Sequence, residues 1–292
     1  MKKWMSQLSD NLSLTHINIP ATHDSTACYA SFSLISRTQS LTVSEQLNAG
    51  VRMFDFRFSL ENGVFYAKHG IASCKKNKGI FAQKLTADHV VADCIDFVKN
   101  NPTETILFIL RDTTGNKQFF SEFFSRYISP EKSLWYIENK IPMLSQVRGK
   151  IVLLRNVDIN NSGFDDTNSG LDFRPPYVGS TFVDDWKTGE LCSVETGKPF
   201  AKVNIQDSYK VQGRKKWGTV KRFLESGLSD NEFNICTTSC TGILLPYFNA
   251  KLINKELMDF SFEKGRCYGI IMMDFVSAGL CDIIIKTNTD IC

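Results

Sequence analysis

Ile17-Asn18-Ile19-Pro20-Ala21-Thr22-His23-Asp24-Ser25 is the stretch on which the reading of this chain turns. A short apolar strand runs straight into a His-Asp pair flanked by hydroxyl residues. A histidine just past the end of a buried strand is held by a rigid element yet faces a cavity, and its ordinary pKa lets it exchange a proton near neutrality. The same residues also read as a polar loop capping the next segment. What stands at the other strand ends decides between the two.

Outward from that stretch, strand-like and helix-like runs alternate. Eight strands are predicted, at His16–Ile19, Val51–Phe58, Val64–His69, Thr105–Arg111, Lys150–Arg155, Lys202–Gln206, Phe233–Thr237 and Tyr268–Phe275. Between Thr86 and Asn100, Val91, Ile95 and Val98 fall on one helical face, with Thr86 as N-cap, Asp88 in the positive first turn and Asn101-Pro102 as the stop. Further helices are expected at 118–127, 218–228, 254–260 and 279–286. Residues 160–200 are rich in Gly, Pro, Asp, Asn and Ser without a period, and read as a long excursion between the fifth and sixth strands. Strands alternating with helices over 292 residues predict an α/β fold, a single-domain distorted (β/α)8 TIM-like barrel over residues 1–292. The distortion is placed early, because Ser59–Gly63 leaves no room for a helix between the second and third strands.

Composition narrows the function classes. Hydrophobic residues at 42% and charged residues at 22% fit a globular core and exclude a disordered chain, and no apolar run is long enough to span a bilayer. A net charge of +3 is too small to argue for nucleic acid. The nine cysteines form no CxxC pair and read as free thiols packed like small hydrophobes, so a zinc cluster is not expected. Met1-Lys2-Lys3-Trp4-Met5-Ser6 has the lysines of a leader but no apolar run behind them. The chain as written is expected to be cytoplasmic, or secreted if Met1 replaces a removed leader.

In a barrel of parallel strands, reactive groups belong at the C-terminal strand ends. In Arg52-Met53-Phe54-Asp55-Phe56-Arg57-Phe58 a period of two puts Asp55 and Arg57 on one side and the phenylalanines on the other. An Asp-Arg pair that only braces the barrel would look the same. His69 ends the third strand, and Asp274 ends the wholly apolar run from Ile270 to Met273, where a carboxylate must be paired or hydrated. Two histidines, three carboxylates and an arginine on one barrel face are hard to explain as separate structural accidents.

These residues carry a resemblance to the bacterial type of phosphatidylinositol-specific phospholipase C. It extends over nearly the whole chain, through Lys3-Trp4-Met5, Ile17 to Ser25, Gly50 to Arg57, His69-Gly70, Asn101 to Ile106, Arg148 to Leu154, Gln206 to Lys210 and Met273-Asp274. The resemblance implies a metal-independent lyase, without cofactor, that cleaves phosphatidylinositol to diacylglycerol and 1,2-cyclic inositol phosphate and opens the cyclic product more slowly. By this resemblance His23, oriented by Asp274, is the general base; Arg57, held by Asp55, stabilises the phosphate charge; and His69, assisted by Asp24, is the general acid. Arg111, Arg155, Asp207 and Tyr209 match headgroup contacts, although Arg111 stands where lysine is typical, and Asn156 follows Arg155 closely enough to shift that position by one. A membrane contact is expected at Ile243, Leu244, Tyr247 and Phe248, with Tyr29–Ile35 as a short amphipathic helix beside them. Partners are then phosphatidylinositol in membranes or micelles and, transiently, the membrane surface, with no nucleic acid and a monomeric chain. Calcium-dependent eukaryotic relatives place Glu-x-Asp where this chain has Asp55-x-Arg57, and a fixed cation there would repel the metal. The alternatives are a metal-dependent glycerophosphodiester phosphodiesterase and a catalytically silent barrel that binds inositol lipids.

Overall fold

The computed structural model describes residues 2–79, 81–159, 162–173, 192–195, 202–207, 209–211, 213–228, 232–240 and 244–289. In chain order its strands are β1 (Ile19–Thr22), β2 (Met53–Glu61), β3 (Val64–His69), β4 (Ala72–Ser73), β5 (Thr105–Asp112), β6 (Trp135–Tyr136), β7 (Lys150–Asn156), β8 (Leu171–Asp172), β9 (Cys192–Glu195), β10 (Lys202–Gln206), β11 (Phe233–Thr237) and β12 (Ile270–Met273). They form one sheet in the order β6-β7-β5-β2-β1-β12-β11-β10-β9, with β8 also on β7. Every neighbour along that path is parallel except β9 against β10.

The strand periodicity sorts side chains into two cores. Ile19 and Ala21, Met53, Leu107 and Ile109, Val152 and Leu154, Leu171, Ile205, Ile235, and Ile270 and Met272 meet in one cluster, although they come from eight strands spread across the sheet. Only a sheet curled around its own inner face brings them together, and that is the interior of a distorted barrel. The alternate residues, among them Phe54, Phe56, Phe58, Phe108, Leu153 and Met273, point outward and pack with Val91, Cys94 and Val98 of the helix Ala87–Asn100.

Two departures from the predicted strands matter for the site. β3 is not a barrel strand: it folds back antiparallel on β2, pairing Phe58 with Ala67 and Glu61 with Val64, because Asn62-Gly63 supplies two positive-φ residues for a tight hairpin. β1 begins at Ile19 rather than His16, which sits in the 3-10 turn Leu14–His16. Pro20, which discourages a central strand by lacking an N–H, is tolerated here. The amides of Ile19 and His23 bond to β12, so that of residue 20 would face β2, which starts only at Met53.

At the foot of β1, Asn18 sets the register. Its Oδ1 accepts from the Tyr268 and Gly269 amides at 2.7 and 2.9 Å, and its Nδ2 donates to the Arg266 carbonyl at 2.8 Å. That staple aligns Ile19 with Ile270 and Thr22 with Met273, so the next residues, His23 and Asp274, come out side by side. Elsewhere Thr42 and Glu45 form a capping box that starts the helix Val43–Ala49, and Gly50 ends it at φ 115°. The helix expected from residue 254 in fact starts at Pro246, where proline at the first helical position loses no hydrogen bond.

Candidate active site

Parity decides which strand-end residues meet. Asp55 and Arg57 follow Met53 at intervals of two, Arg111 follows Ile109, Asp207 follows Ile205 and Asp274 follows Met272, so all continue the inner face. His23 likewise follows Ala21. Asp24 turns back at φ 42° and Phe275 at φ 48°, left-handed conformations held by the surrounding contacts and found most often where function requires them.

The polar groups interlock. His23 Nδ1 is 3.0 Å from Asp274 Oδ1, and its Nε2 is 3.1 Å from Asp24 Oδ2. His69 reaches the same oxygen with Nε2 at 3.2 Å, while its Nδ1 lies 2.6 Å from the Ser36 carbonyl. Arg57 spans two carboxylates, with Nε 2.9 Å from Asp24 Oδ1 and Nη2 2.6 Å from Asp55 Oδ2. Arg111 Nε takes the other oxygen of Asp55 at 2.6 Å. The two imidazoles stand edge to face with centroids 6.3 Å apart, and the Tyr209 ring lies 6.5 Å from that of His23. Two imidazole nitrogens and one guanidinium thus converge on a single carboxylate, that of Asp24.

Electrostatics follow from the pairing. Burial opposes a charge on His23, but Asp24 and Asp274 together outweigh it and raise its pKa to about 9. Burial would raise the Asp55 carboxyl, yet Arg111 and Arg57 hold it well below the ordinary carboxylate range. Burial likewise works against the Arg57 charge, and Asp24 and Asp55 more than restore it. Asp207 has no such compensation: burial pushes its carboxyl up against the pull of Lys216.

Donor atoms of His23, Asp24 and Asp55 fall within 4.8 Å of one another, a spacing that admits a metal ion. The set fits one poorly, because Arg57 and Arg111 already hold both oxygens of Asp55 and Arg57 also holds Asp24. A cation there would sit against a guanidinium.

Arg155 is the sequence-predicted contact that the fold sends elsewhere. It pairs in register with Leu110, an outward residue, and is wholly buried against Asp166 at 2.7 Å and its cross-strand partner Asp172 at 3.7 Å. The inward position beside Arg111 belongs to Asn156. Sequence reading also missed Gln39, whose Nε2 donates to the carbonyls of His23 and Met273 at 2.9 Å each and so ties β1 to β12 just below the histidine. Nothing in the local sequence around Gln39 signals that role.

At the rim, Leu244, Tyr247 and Phe248 are exposed, as are Phe32, Leu34 and Ile35; Ile243 lies outside the described residues. The expected helix over Tyr29–Ile35 is only the turn Ser33–Ser36, preceded by Phe32 at φ 55°, and it packs against the helix Pro246–Asp259. Tyr247 stacks edge-on against Phe275, the residue after Asp274, at 5.3 Å. Ile71, two residues beyond His69, is 93% exposed and is a rim residue that the sequence did not single out.

No family model matches the chain. Individual relatives do. The 1-phosphatidylinositol phosphodiesterase of Listeria monocytogenes is 26% identical over 309 aligned positions, covering 98% of this chain and 85% of its own. That of Staphylococcus aureus is 29% identical over 249 positions, covering 79% and 71%. The solved phosphatidylinositol-specific phospholipase C from Listeria monocytogenes superposes with a TM-score of 0.75 at 25% identity, over 99% of this chain and 98% of that one. In sequence and in fold the chain is similar to the bacterial phosphatidylinositol-specific phospholipases C. The Staphylococcus aureus phospholipase C, at 21% identity and a TM-score of 0.76 over 99% and 97% of the two chains, shares this phospholipase C fold.

Proposed function

We propose that this chain cleaves phosphatidylinositol by intramolecular attack, releasing diacylglycerol and a 1,2-cyclic inositol phosphate without a metal ion. The observation that carries the reading is the convergence of His23 Nε2, His69 Nε2 and Arg57 on the Asp24 carboxylate. These three groups hold an internal anion as they would hold a phosphodiester. With Nδ1 directed to Asp274, His23 is left with Nε2 for the substrate; with Nδ1 donating to the Ser36 carbonyl, His69 is left with Nε2 as well.

In the first step the inositol 2-oxygen forms a bond to phosphorus and its proton passes to Nε2 of the neutral form of His23, which Asp274 then stabilises as imidazolium. The glycerol oxygen leaves phosphorus with its bonding pair and takes a proton from His69 Nε2, the nitrogen that lies 3.2 Å from Asp24 Oδ2. Arg57 shares the charge that builds on the nonbridging oxygens, at the stage where a fixed donor contributes most. Water then opens the cyclic product with the histidines in exchanged roles. Arg111, Asp207 and Tyr209 line the space for the headgroup. The exposed rim carries the protein to the lipid surface, a role supported by the membrane binding for which the Staphylococcus aureus enzyme was solved.

The test is cyclic inositol phosphate release from phosphatidylinositol micelles. Wild-type protein should produce it, and His23→Ala and His69→Ala should each lose orders of magnitude in turnover while circular dichroism shows the fold retained. A few-fold loss in His69→Ala would remove it from the role of acid.

A further inference from the structure

We infer that Lys216, behind the end of β10, is a positioning residue for substrate binding, its buried ammonium keeping the Asp207 carboxylate ionised at the headgroup space; this rests on the inositol-lipid reading above. The helix Gly213–Glu225 buries Lys216, Thr219, Val220, Phe223 and Leu224, the spacing of a core-facing stripe, while Arg214, Lys215, Lys221 and Arg222 stand exposed on its other faces. Lys216 thus takes a place in the stripe that an apolar residue ordinarily fills, and it is wholly buried there. A buried ammonium is costly unless hydrogen bonds and a counter-charge offset it. Its Nζ donates to Gln206 Oε1 at 3.2 Å, the same oxygen accepts from Thr219 Oγ1 at 3.4 Å, and Gln206 Nε2 donates to the Thr237 carbonyl at 3.0 Å. Gln206 follows the inward Ile205 and precedes Asp207, so by parity it points outward and fixes the ammonium directly behind the strand end whose next side chain turns into the mouth.

The charged and titratable groups around Asp207 are Lys216, His23, Arg111 and Arg57, and those around Lys216 are Asp207, Cys236, Cys240 and Asp274. Burial works against both charges, raising the Asp207 carboxyl and lowering the Lys216 ammonium, and each is the largest counterweight to the other. The remaining charges are already matched: His23 holds Asp274, Arg57 spans Asp24 and Asp55, and Arg111 takes Asp55. Asp207 Oδ1, by contrast, is buried with no hydrogen-bond partner among the described residues. An ionised carboxylate is the stronger acceptor for a polyol hydroxyl, and without the ammonium behind it this carboxyl would take up a proton at a higher pH.

Lys216→Met keeps the length of the side chain and removes its charge, and soluble inositol 1,2-cyclic phosphate reads the pocket without a lipid surface. At about pH 6 the variant should show KM raised about tenfold with kcat within a few-fold, and KM should return toward the wild-type value as pH rises and Asp207 ionises unaided. A packing defect would not recover with pH. In an Asp207→Asn background Lys216→Met should add nothing further to KM, and Lys216→Arg, which keeps the charge, should hold KM within a few-fold of wild type. The wild-type protein supplies a readout that needs no variant to fold: by nuclear magnetic resonance the Asp207 carboxyl carbon should be that of a carboxylate at about pH 7. A rise in KM that is the same at every pH, a shifted kcat profile with KM unchanged, or a protonated Asp207 in the wild type overturns the assignment while leaving the lyase standing. Wild-type protein that turns over neither phosphatidylinositol nor the cyclic phosphate overturns both.

Discussion

His23 Nδ1 and Asp274 Oδ1 lie 3.0 Å apart on adjacent strand ends, in a register fixed by the Asn18 staple five residues below the histidine. With Asp24 on the other ring nitrogen, the pair raises the His23 pKa to about 9, so His23 is mostly charged near neutral pH and the base is its minor neutral form, which grows as pH rises toward 9.

The first prediction follows from that charge. The His23 resonance should titrate with a midpoint near 9 by nuclear magnetic resonance, and Asp274→Asn should bring it down by about 1 unit or more. Because the folded-state pKa lies above the ordinary value of 6.5, the pairing contributes its full stability below pH 6.5 and loses it as pH rises through 9. The wild-type melting temperature should therefore decline across that window more steeply than that of Asp274→Asn. Parallel declines would show that the pair does not hold the proton.

Arg57→Lys tests the fork. The guanidinium meets Asp24 through Nε and Asp55 through Nη2, two directions that one ammonium cannot serve together. Turnover should fall by about a hundredfold or more at full lipid saturation, although the charge is kept. Activity within threefold of wild type would reduce Arg57 to a point charge.

A third expectation concerns the rim. Leu244→Ser combined with Phe248→Ser removes two exposed apolar side chains at and before the start of the helix Pro246–Asp259. Vesicle binding should weaken by roughly tenfold or more, since burying such side chains is worth about 1.5–3 kcal/mol each. Hydrolysis of soluble cyclic inositol phosphate should stay unchanged. Ile71→Ser should act in the same direction, and an equal loss on both substrates would place these residues in the fold rather than at the lipid.

Stability at the opposite end rests on Arg52 and Glu104, both fully buried and joined at 2.8 Å. Glu104 Oε2 also accepts from the Met5 amide, and Arg52 donates to the carbonyls of Lys2, Leu47 and Val51. Glu104→Ala leaves a buried guanidinium without its counter-charge and should cost about 3–5 kcal/mol in denaturant unfolding. A loss under about 1 kcal/mol would mean that the carbonyls suffice.

Much of this was legible in the sequence because strand parity is local. Alternation alone puts Asp55 and Arg57 opposite Phe54, Phe56 and Phe58, and the end of an apolar run marks Asp274. Parity failed at Arg155 for want of a reference: one residue of offset exchanges inner and outer faces, and only pairing with Leu110 and Asp172 shows which way the strand is set. Val64–His69 has a barrel strand's composition, and its antiparallel return depends on the hairpin at Asn62-Gly63. Gln39 acts through two main-chain carbonyls contributed by different strands, a relation that leaves no mark in residue type or spacing.

The most direct measurement follows phosphorus by nuclear magnetic resonance as the protein acts on phosphatidylinositol vesicles in excess chelator. The diester signal should give way first to that of a five-membered cyclic phosphate and only later to a monoester, at a rate the chelator leaves unchanged, and His23→Ala should abolish both steps. Direct formation of the monoester, or activity that vanishes in chelator and returns with calcium, would contradict it.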